Sequence, residues 1–301
     1  MKEDELIENF TDIIQPNIDD IKNMINSTNN KLFTLNSILF IIVLGALFLT
    51  NHFNLHIIFF IMTLFISVMI SYLGNYTFNY EYHDILERTI FPKILNILVK
   101  DGSFTINTHL EEDAKNSDIF SIYEYFIASA TIQSKWSIQF ALNNRQIHIS
   151  STYIDLSDIN NPAVPFSDKN KGLFITIENI DFCNSEIYIF ENKLLHSMKE
   201  VSKILKKDLT NDNSLYDKFT VVSKTLNKES KNKIVQILNL FNQDVSITLR
   251  KNKMYIFVHK EFTCFDANYY TNGRIPSYFD YIELLKIKNS IEEVIAITKE
   301  V

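Results

Sequence analysis

The sequence is poor in the residues from which familiar catalytic and nucleotide-binding loops are made. It has five glycines, isolated at Gly45, Gly74, Gly102, Gly172 and Gly273, so neither a GxGxxG turn nor a P-loop can be assembled to cradle a phosphate. Two cysteines, Cys183 and Cys264, lie too far apart to outline a disulfide framework and read as small buried apolar residues. Cations are outnumbered: 29 Lys and Arg stand against 36 Asp and Glu, a net charge of -7. That balance argues against the concentrated basic face that nucleic acids require. Histidines such as His83, His109, His148 and His196 are scattered without HExxH or paired spacing, so no metal and no cofactor is expected.

The longest absence is of charge. From Leu32 to Tyr80, 49 consecutive residues contain no Asp, Glu, Lys or Arg, more than twice the roughly 20 residues that one membrane span requires. Two spans fit, about Leu32 to Leu49 and about Leu55 to Leu73, joined by the turn TNHFN. Each covers roughly 27 to 29 Å at about 1.5 Å per residue, close to the ~30 Å hydrocarbon layer. Twelve Leu, Ile, Phe or Val residues in the second span contribute roughly -4 to -7 kcal/mol to insertion, which His56 near its edge does not offset. A buried helical hairpin of a soluble core is the alternative. The run starts after an acidic stretch, unlike a signal peptide with its basic leading region, so no cleavage is expected.

A hairpin places both flanks on one side. Lys22, Lys31, Arg88 and Lys93 lie in those flanks and the connecting turn has no Lys or Arg, which predicts a multi-pass protein with both termini cytoplasmic. Residues 1-31 carry Leu6, Phe10, Ile14, Ile18, Ile21 and Ile25 at helical spacing, with Pro16 starting a second helix or kinking the first. This amphipathic arm reads either as a self-association or membrane-surface helix, which leaves a homo-oligomer open, or as a helix packed on the protein's own soluble part.

Residues 32-75 are then the transmembrane hairpin, and 76-301 a stalk helix with a cytoplasmic α+β domain. Phe78, Tyr82, Ile85, Ile90, Ile94 and Ile97 extend a helical stripe to a stop at Gly102, and Pro92 bends or divides it. From Ser117 the period changes. IFSIYEYFIAS, then WSIQFAL and RQIHISSTYI around an Asn143-Asn144 turn, predict strands and a hairpin. Residues 157-171 are a proline-bearing loop, GLFITIEN, SEIYIFEN and FTVVS further strands, and 193-207 a helix. A helix near 228-242 precedes the hairpin VSITLRKNKMYIFVHKE, and the last helix runs from Pro276-Ser277 to about Lys299 with Ser277 and Asp280 as its capping pair. The expected architecture is α+β with a mainly antiparallel sheet and flanking helices.

Three groups of residues are candidates for chemistry. His259, Glu261 and Cys264 fall at a strand end where 259 and 261 share a face and 264 does not follow, a poor metal site. Glu111, Glu112, Asp113 and Asp118 form an acidic run that would bind a cation or supply an acid and a base, or else form a solvated loop. The stretch KLLHSMKEVSKILKK sets an apolar stripe beside Lys199, Lys203, Lys206 and Lys207. This is a patch for anionic lipid at about 1 kcal/mol per lysine, or a core-packed helix with a solvated basic face.

The order of elements, and in particular Lys171-Gly172-Leu173-Phe174 and Lys218-Phe219-Thr220-Val221-Val222-Ser223, resembles the bacterial family called domain of unknown function 3137, over roughly residues 80-265. The resemblance implies a protein anchored in the bacterial inner membrane, with no catalytic residues to carry over. The reading is a membrane-tethered interaction or scaffold module that binds another protein and leans away from an enzyme. The alternative is a membrane-associated hydrolase or transferase acting on a lipid or envelope precursor. A third reading, a pore formed by the spans, has only Asn36, His52 and His56 as notable polar groups.

Overall fold

The structure, a computed structural model, describes residues 3-52, 57-99, 101-106, 111-122, 131-155, 171-180, 182, 186-191, 210-211, 219-223, 226-241, 245-267, 269-270 and 274-299. The chain divides into two compact units: Asp4–Ile94 with Ala267–Ser277, and Leu95–Asp266 with Tyr278–Val301.

The first unit is a hairpin of two long helices, Asp4–His52 and Ile57–Leu98. Both are long and apolar enough to cross a membrane. Their apolar stretches face outward: Phe40, Ile41 and Phe48 on one helix and Phe59, Ile61 and Phe65 on the other are each about half exposed or more. A soluble core helix buries such residues, whereas a lipid-facing one displays them. The two helices meet along Leu39 and Ala46 on one side and Ser67 and Phe78 on the other, all buried, and Ser71 Oγ donates to Asn36 Oδ1 at 2.8 Å.

Past the apolar stretch the seam changes character. Leu6, Phe10, Ile14, Ile18, Ile21 and Ile25 are buried, as are Phe78, Tyr82, Leu86, Ile90, Phe91 and Ile94. The arm at residues 4-31 is therefore one strand of a two-helix stalk whose apolar seam lies inside its own unit. Each proline is accommodated in the same way. Pro16 follows a π-turn at Phe10–Ile14 and Pro92 follows one at Leu86–Ile90. A proline lacks the N–H and its ring collides with the carbonyl four residues earlier. Widening the preceding turn to i→i+5 bonding, Gln15 N–H to Phe10 O and Phe91 N–H to Leu86 O, relieves the clash without breaking the helix. The segment Ala267–Ser277 completes this unit through Tyr82, whose hydroxyl donates to the Arg274 carbonyl, and through a Phe91–Tyr270 ring contact.

The second unit is built on one antiparallel sheet with nine strands among the described residues: β1 (Ser103–Ile106), β2 (Thr131–Leu142), β3 (Arg145–Asp155), β4 (Lys171–Glu178), β5 (Ile187–Glu191), β6 (Thr210–Asn211), β7 (Phe219–Ser223), β8 (Val245–Arg250) and β9 (Lys253–Val258). Their order is β1-β2-β3-β4-β9-β8-β5-β7-β6. The β8–β9 hairpin thus wedges between β4 and β5, its nearest neighbours on either side. Two-residue turns close the hairpins at Asn143-Asn144 and Lys251-Asn252, all four with positive φ, the twist-compatible turn that asparagine tolerates.

Alternation along the strands makes the two faces chemically different. One carries a row of six isoleucines in continuous register, Ile138, Ile149, Ile175, Ile256, Ile247 and Ile189, ending at Val221. All seven are at most 2% exposed, each contributing roughly 1.5 to 3 kcal/mol by burial. This face is closed by aromatic packing: Phe265 contacts Trp136, Phe104 and Tyr281, the last on the helix Phe279–Lys299. The helix Lys228–Leu240, capped by Asn227 onto the Ser230 N–H, joins it where Ser290 Oγ donates to Leu240 O.

The α+β class, the strands of residues 136-154, 172-179, 187-191 and 219-223, the 245-258 hairpin and the two helices near 228-240 and 279-299 all stand as the sequence predicts. Residues 119-122 do not. Ile119–Ile122 is a short helix, although its composition favours a strand. Ser117 Oγ accepts from the Ile119 N–H at 3.2 Å, Asp118 turns the chain with φ 56°, and Phe120 gains a buried seat on the sheet. The remainder of the predicted first strand, the helix at 193-207 and the loop at 157-170 lie outside the described residues.

Candidate functional site

The opposite face of the sheet is where the sequence places its polar groups. Three rows cross it. The first follows from the hairpin's insertion: Glu178 on β4 is in register with Lys253 on β9, which faces Arg250 on β8, and Glu186 leads into β5. Lys253 Nζ lies 2.6 Å from Glu178 Oε1 and 3.7 Å from Asp113 Oδ1. Arg250 Nη1 donates to Asp118 Oδ2 at 2.6 Å and to the Asn116 carbonyl at 3.1 Å. Its Nε is 2.9 Å from Glu186 Oε1 without hydrogen-bond alignment.

The second row runs Gln139, His148, Thr176, Tyr255, Thr248 and Tyr188. Tyr188 is buried, and its hydroxyl lies 3.1 Å from Glu186 Oε2 and 3.4 Å from Asp118 Oδ2. Burial pushes its pKa well up, and the two carboxylates push it further. Burial lowers the His148 pKa, against the opposing pull of Asp113 and Glu178. Burial would lower the Arg250 and Asp118 and Glu186 would raise it; the raising wins. Thr176 and Thr248, on either side of Tyr255, are at most 2% exposed, and their hydroxyls find no hydrogen-bond partner among the described residues.

The third row is Ser137, Ser150, Phe174, Phe257 and Ser246. Phe120 seats its ring 5.6 Å from Phe174 and 5.0 Å from Phe257. Ser246 Oγ lies 3.2 Å from His259 Nε2, and that imidazole meets the Phe257 ring edge-on at 4.8 Å.

The acidic run is thereby resolved in part. Glu111–Ser117 is helical, and Asp113 and Asp118 are engaged by Lys253 and Arg250 across 140 and 132 residues of sequence. Asp113 and Asp118 form the acidic half of an ion-pair cluster against the sheet, and the side chains of Glu111 and Glu112 lie outside the described residues. His259, Glu261 and Cys264 are not brought together. Glu261 bridges Lys135 (3.4 Å) and Lys171 (3.0 Å), Lys135 also reaches Asp266 at 2.8 Å, and the Cys264 thiol is buried with its pKa pushed far up by desolvation. No group of three metal-ligating side chains occurs among the described residues. Lys199, Lys203, Lys206 and Lys207 lie outside the described residues. Sequence reasoning did not single out Arg250, Tyr188 or Ser246. Their alternation with isoleucines along the β8 and β5 segments was visible, but Arg250 and Tyr188 meet Asp118 from far away in the sequence, and Ser246 meets His259 only through the pairing of the hairpin.

The fold is that of an α+β protein with a long two-helix hairpin and an antiparallel sheet covered by helices. No protein-family model matches the chain, and no curated protein matches it. Among solved structures it is similar to the crystal structure of the mycobacterial trehalose monomycolate transport factor A, TtfA, with 7% identity over 72% of this chain and 94% of that one. The TM-score is 0.34, a likeness too slight to carry an argument.

Proposed function

We propose that the protein is a membrane-tethered interaction or scaffold module: the hairpin crosses the bacterial inner membrane twice, leaves both termini cytoplasmic and presents the α+β domain to a protein partner. The observation that carries this reading is the hairpin itself, whose apolar residues face outward over one stretch and inward over the next. Water penalises the first arrangement and lipid penalises nothing in it. Mutual engagement of Arg250, Lys253, Asp113, Asp118 and Glu186 supports a structural use of the sheet's charges. Membership of the domain of unknown function 3137 family belongs to the same proposal and rests on the residues 171-174 and 218-223.

The test is alkaline carbonate extraction of native membranes, protease protection of the two termini in spheroplasts, and chemical cross-linking with mass spectrometry on the intact chain. Retention in the pellet, protected termini and a reproducible cross-linked partner are expected. Extraction into the supernatant sinks the membrane reading, and accessible termini sink the orientation.

A second reading, a membrane-associated hydrolase, has the Ser246–His259 pair in its favour, since an imidazole beside a hydroxyl is the arrangement that activates a serine. Against it stands the full burial of Ser246. Labelling by a fluorophosphonate probe that disappears in Ser246→Ala would establish it.

A further inference from the structure

Beyond the apolar stretch of the second long helix, aromatic residues continue outward where the seam has already turned inward. Tyr72, Tyr76 and Tyr80 are 69%, 62% and 65% exposed, at i, i+4 and i+8, so they share one face within an arc of about 80°. The exposed aliphatic run ends at Leu73, inside the ladder. The register between helices fixes what lies level with it. Ser71 bonds Asn36, and a Cβ placed on Gly74 would lie 3.1 Å from Leu32 Cδ2 and 3.5 Å from Leu35 Cδ2. Tyr76 therefore stands at the height of Lys31, which is exposed and marks the charged end of the uncharged run on the other helix.

We propose that Tyr72, Tyr76 and Tyr80, together with Lys31, form an interaction surface for the lipid headgroup layer, with the boundary between hydrocarbon and water passing at the level of Tyr76. The inference rests on the membrane reading above and adds its position and its anchors. Tyrosine suits a headgroup layer because the ring is apolar and the hydroxyl seeks polar partners. Lysine suits the same level because its ammonium meets lipid phosphate. The span lengths agree. From Leu32 to His52 and from Ile57 to Tyr76 the helices rise roughly 29 to 30 Å, the thickness of the hydrocarbon layer. Side-chain direction accounts for the outermost ring. Tyr80 lies about 6 Å beyond Tyr76, near the outer limit of a headgroup layer of about 5 to 8 Å. Helical side chains tilt toward their own N-terminus, which for this helix is the apolar end, so the Tyr80 ring is carried back toward the lipid.

The experiment reads depth by tryptophan. Trp136 is the single native tryptophan and is fully buried in the sheet unit, so it gives a constant background. Full-length protein carrying Tyr76→Trp, Tyr80→Trp or Phe65→Trp is reconstituted into vesicles containing phospholipid brominated near the headgroup end of its acyl chains, and Phe65→Trp, about 16 Å deeper than Tyr76, also into vesicles brominated near the chain ends. Tyr76→Trp is expected to lose most of its added emission and Tyr80→Trp a smaller part. Phe65→Trp reports whether the hairpin is in the bilayer at all. If Phe65→Trp is quenched while the Tyr76 and Tyr80 variants are quenched only by aqueous iodide, or are blue-shifted and resist both quenchers, the ladder faces water or protein and this proposal is overturned with the membrane reading intact. If Phe65→Trp is not quenched by bromine, both fall.

Discussion

Lys93 Nζ donates to Asn17 Oδ1 at 2.5 Å, and each residue stands immediately after a proline. The two prolines are therefore level in the antiparallel stalk, and this bond clamps the helices between their π-turns, Phe10–Ile14 on one side and Leu86–Ile90 on the other. Asn17 and Lys93 are partly exposed, so the bond belongs at the lower end for one involving a charge. Asn17→Ala and Lys93→Ala are each expected to cost about 1 kcal/mol. The double variant should cost less than the sum, because either change alone already removes the bond. Thermal unfolding of the four proteins in detergent measures the coupling, and strict additivity would show the contact to be idle.

Arg250 is the hub of the polar face. Replacing it with Met keeps the volume of the stem but leaves Asp118, Glu186 and the Tyr188 hydroxyl facing each other without a cation. About 2 to 4 kcal/mol of stability should be lost. Asp118→Asn should cost less, since Arg250 retains Glu186 and the Asn116 carbonyl. Equal effects would mean that the Asp118 pair alone carries the hub.

The difference between what the sequence revealed and what it hid follows from this hub. Alternating aliphatic residues made the strands plain at 145-154, 172-179 and 245-258, because one face is mostly apolar, interrupted on β3 only by Arg145 and Ser151. Strand order was not legible. A hairpin that inserts between β4 and β5 depends on pairing that no local pattern encodes, and with it went the pairing of Asp113 with Lys253 and of Asp118 with Arg250. Residues 119-122 looked like a strand because Ile and Phe favour one, and tertiary burial of Phe120 overrode that preference. The prolines announced an interruption of each helix, while the form it took, a π-turn with the seam kept in register, depends on the partner helix.

Gly172 opens β4 under Phe257. A Cβ there would come within 2.4 Å of Phe257 Cζ and 2.5 Å of the Val258 carbonyl oxygen. The ring could rotate, but the backbone oxygen belongs to the neighbouring strand of the ladder. Gly172→Ala should therefore destabilise the sheet by about 1 to 3 kcal/mol. Gly102→Ala, whose near neighbours are only the side chains of Val99 and Leu95, should cost less. Chemical denaturation of both variants in the full chain compares them, and a neutral Gly172→Ala would show that β4 and β9 can slide apart.

His148 supplies the pH dependence. Its folded pKa lies below the ordinary value, chiefly through burial. In the unfolded chain it titrates near 6.5. Below that pH the unfolded state takes up more protons than the folded one, so stability is complete above the unfolded value and declines as the pH falls through it. Asp113 and Glu178 face the ring and favour its charged form, which limits the loss without reversing it. His148→Gln should flatten this part of the curve: between about pH 7.5 and 5.5, its melting temperature should fall by less than that of the unaltered protein. A variant whose curve runs parallel to the original would assign the acid sensitivity to other groups and show that the His148 ring is protonated as readily in the sheet as in the free chain.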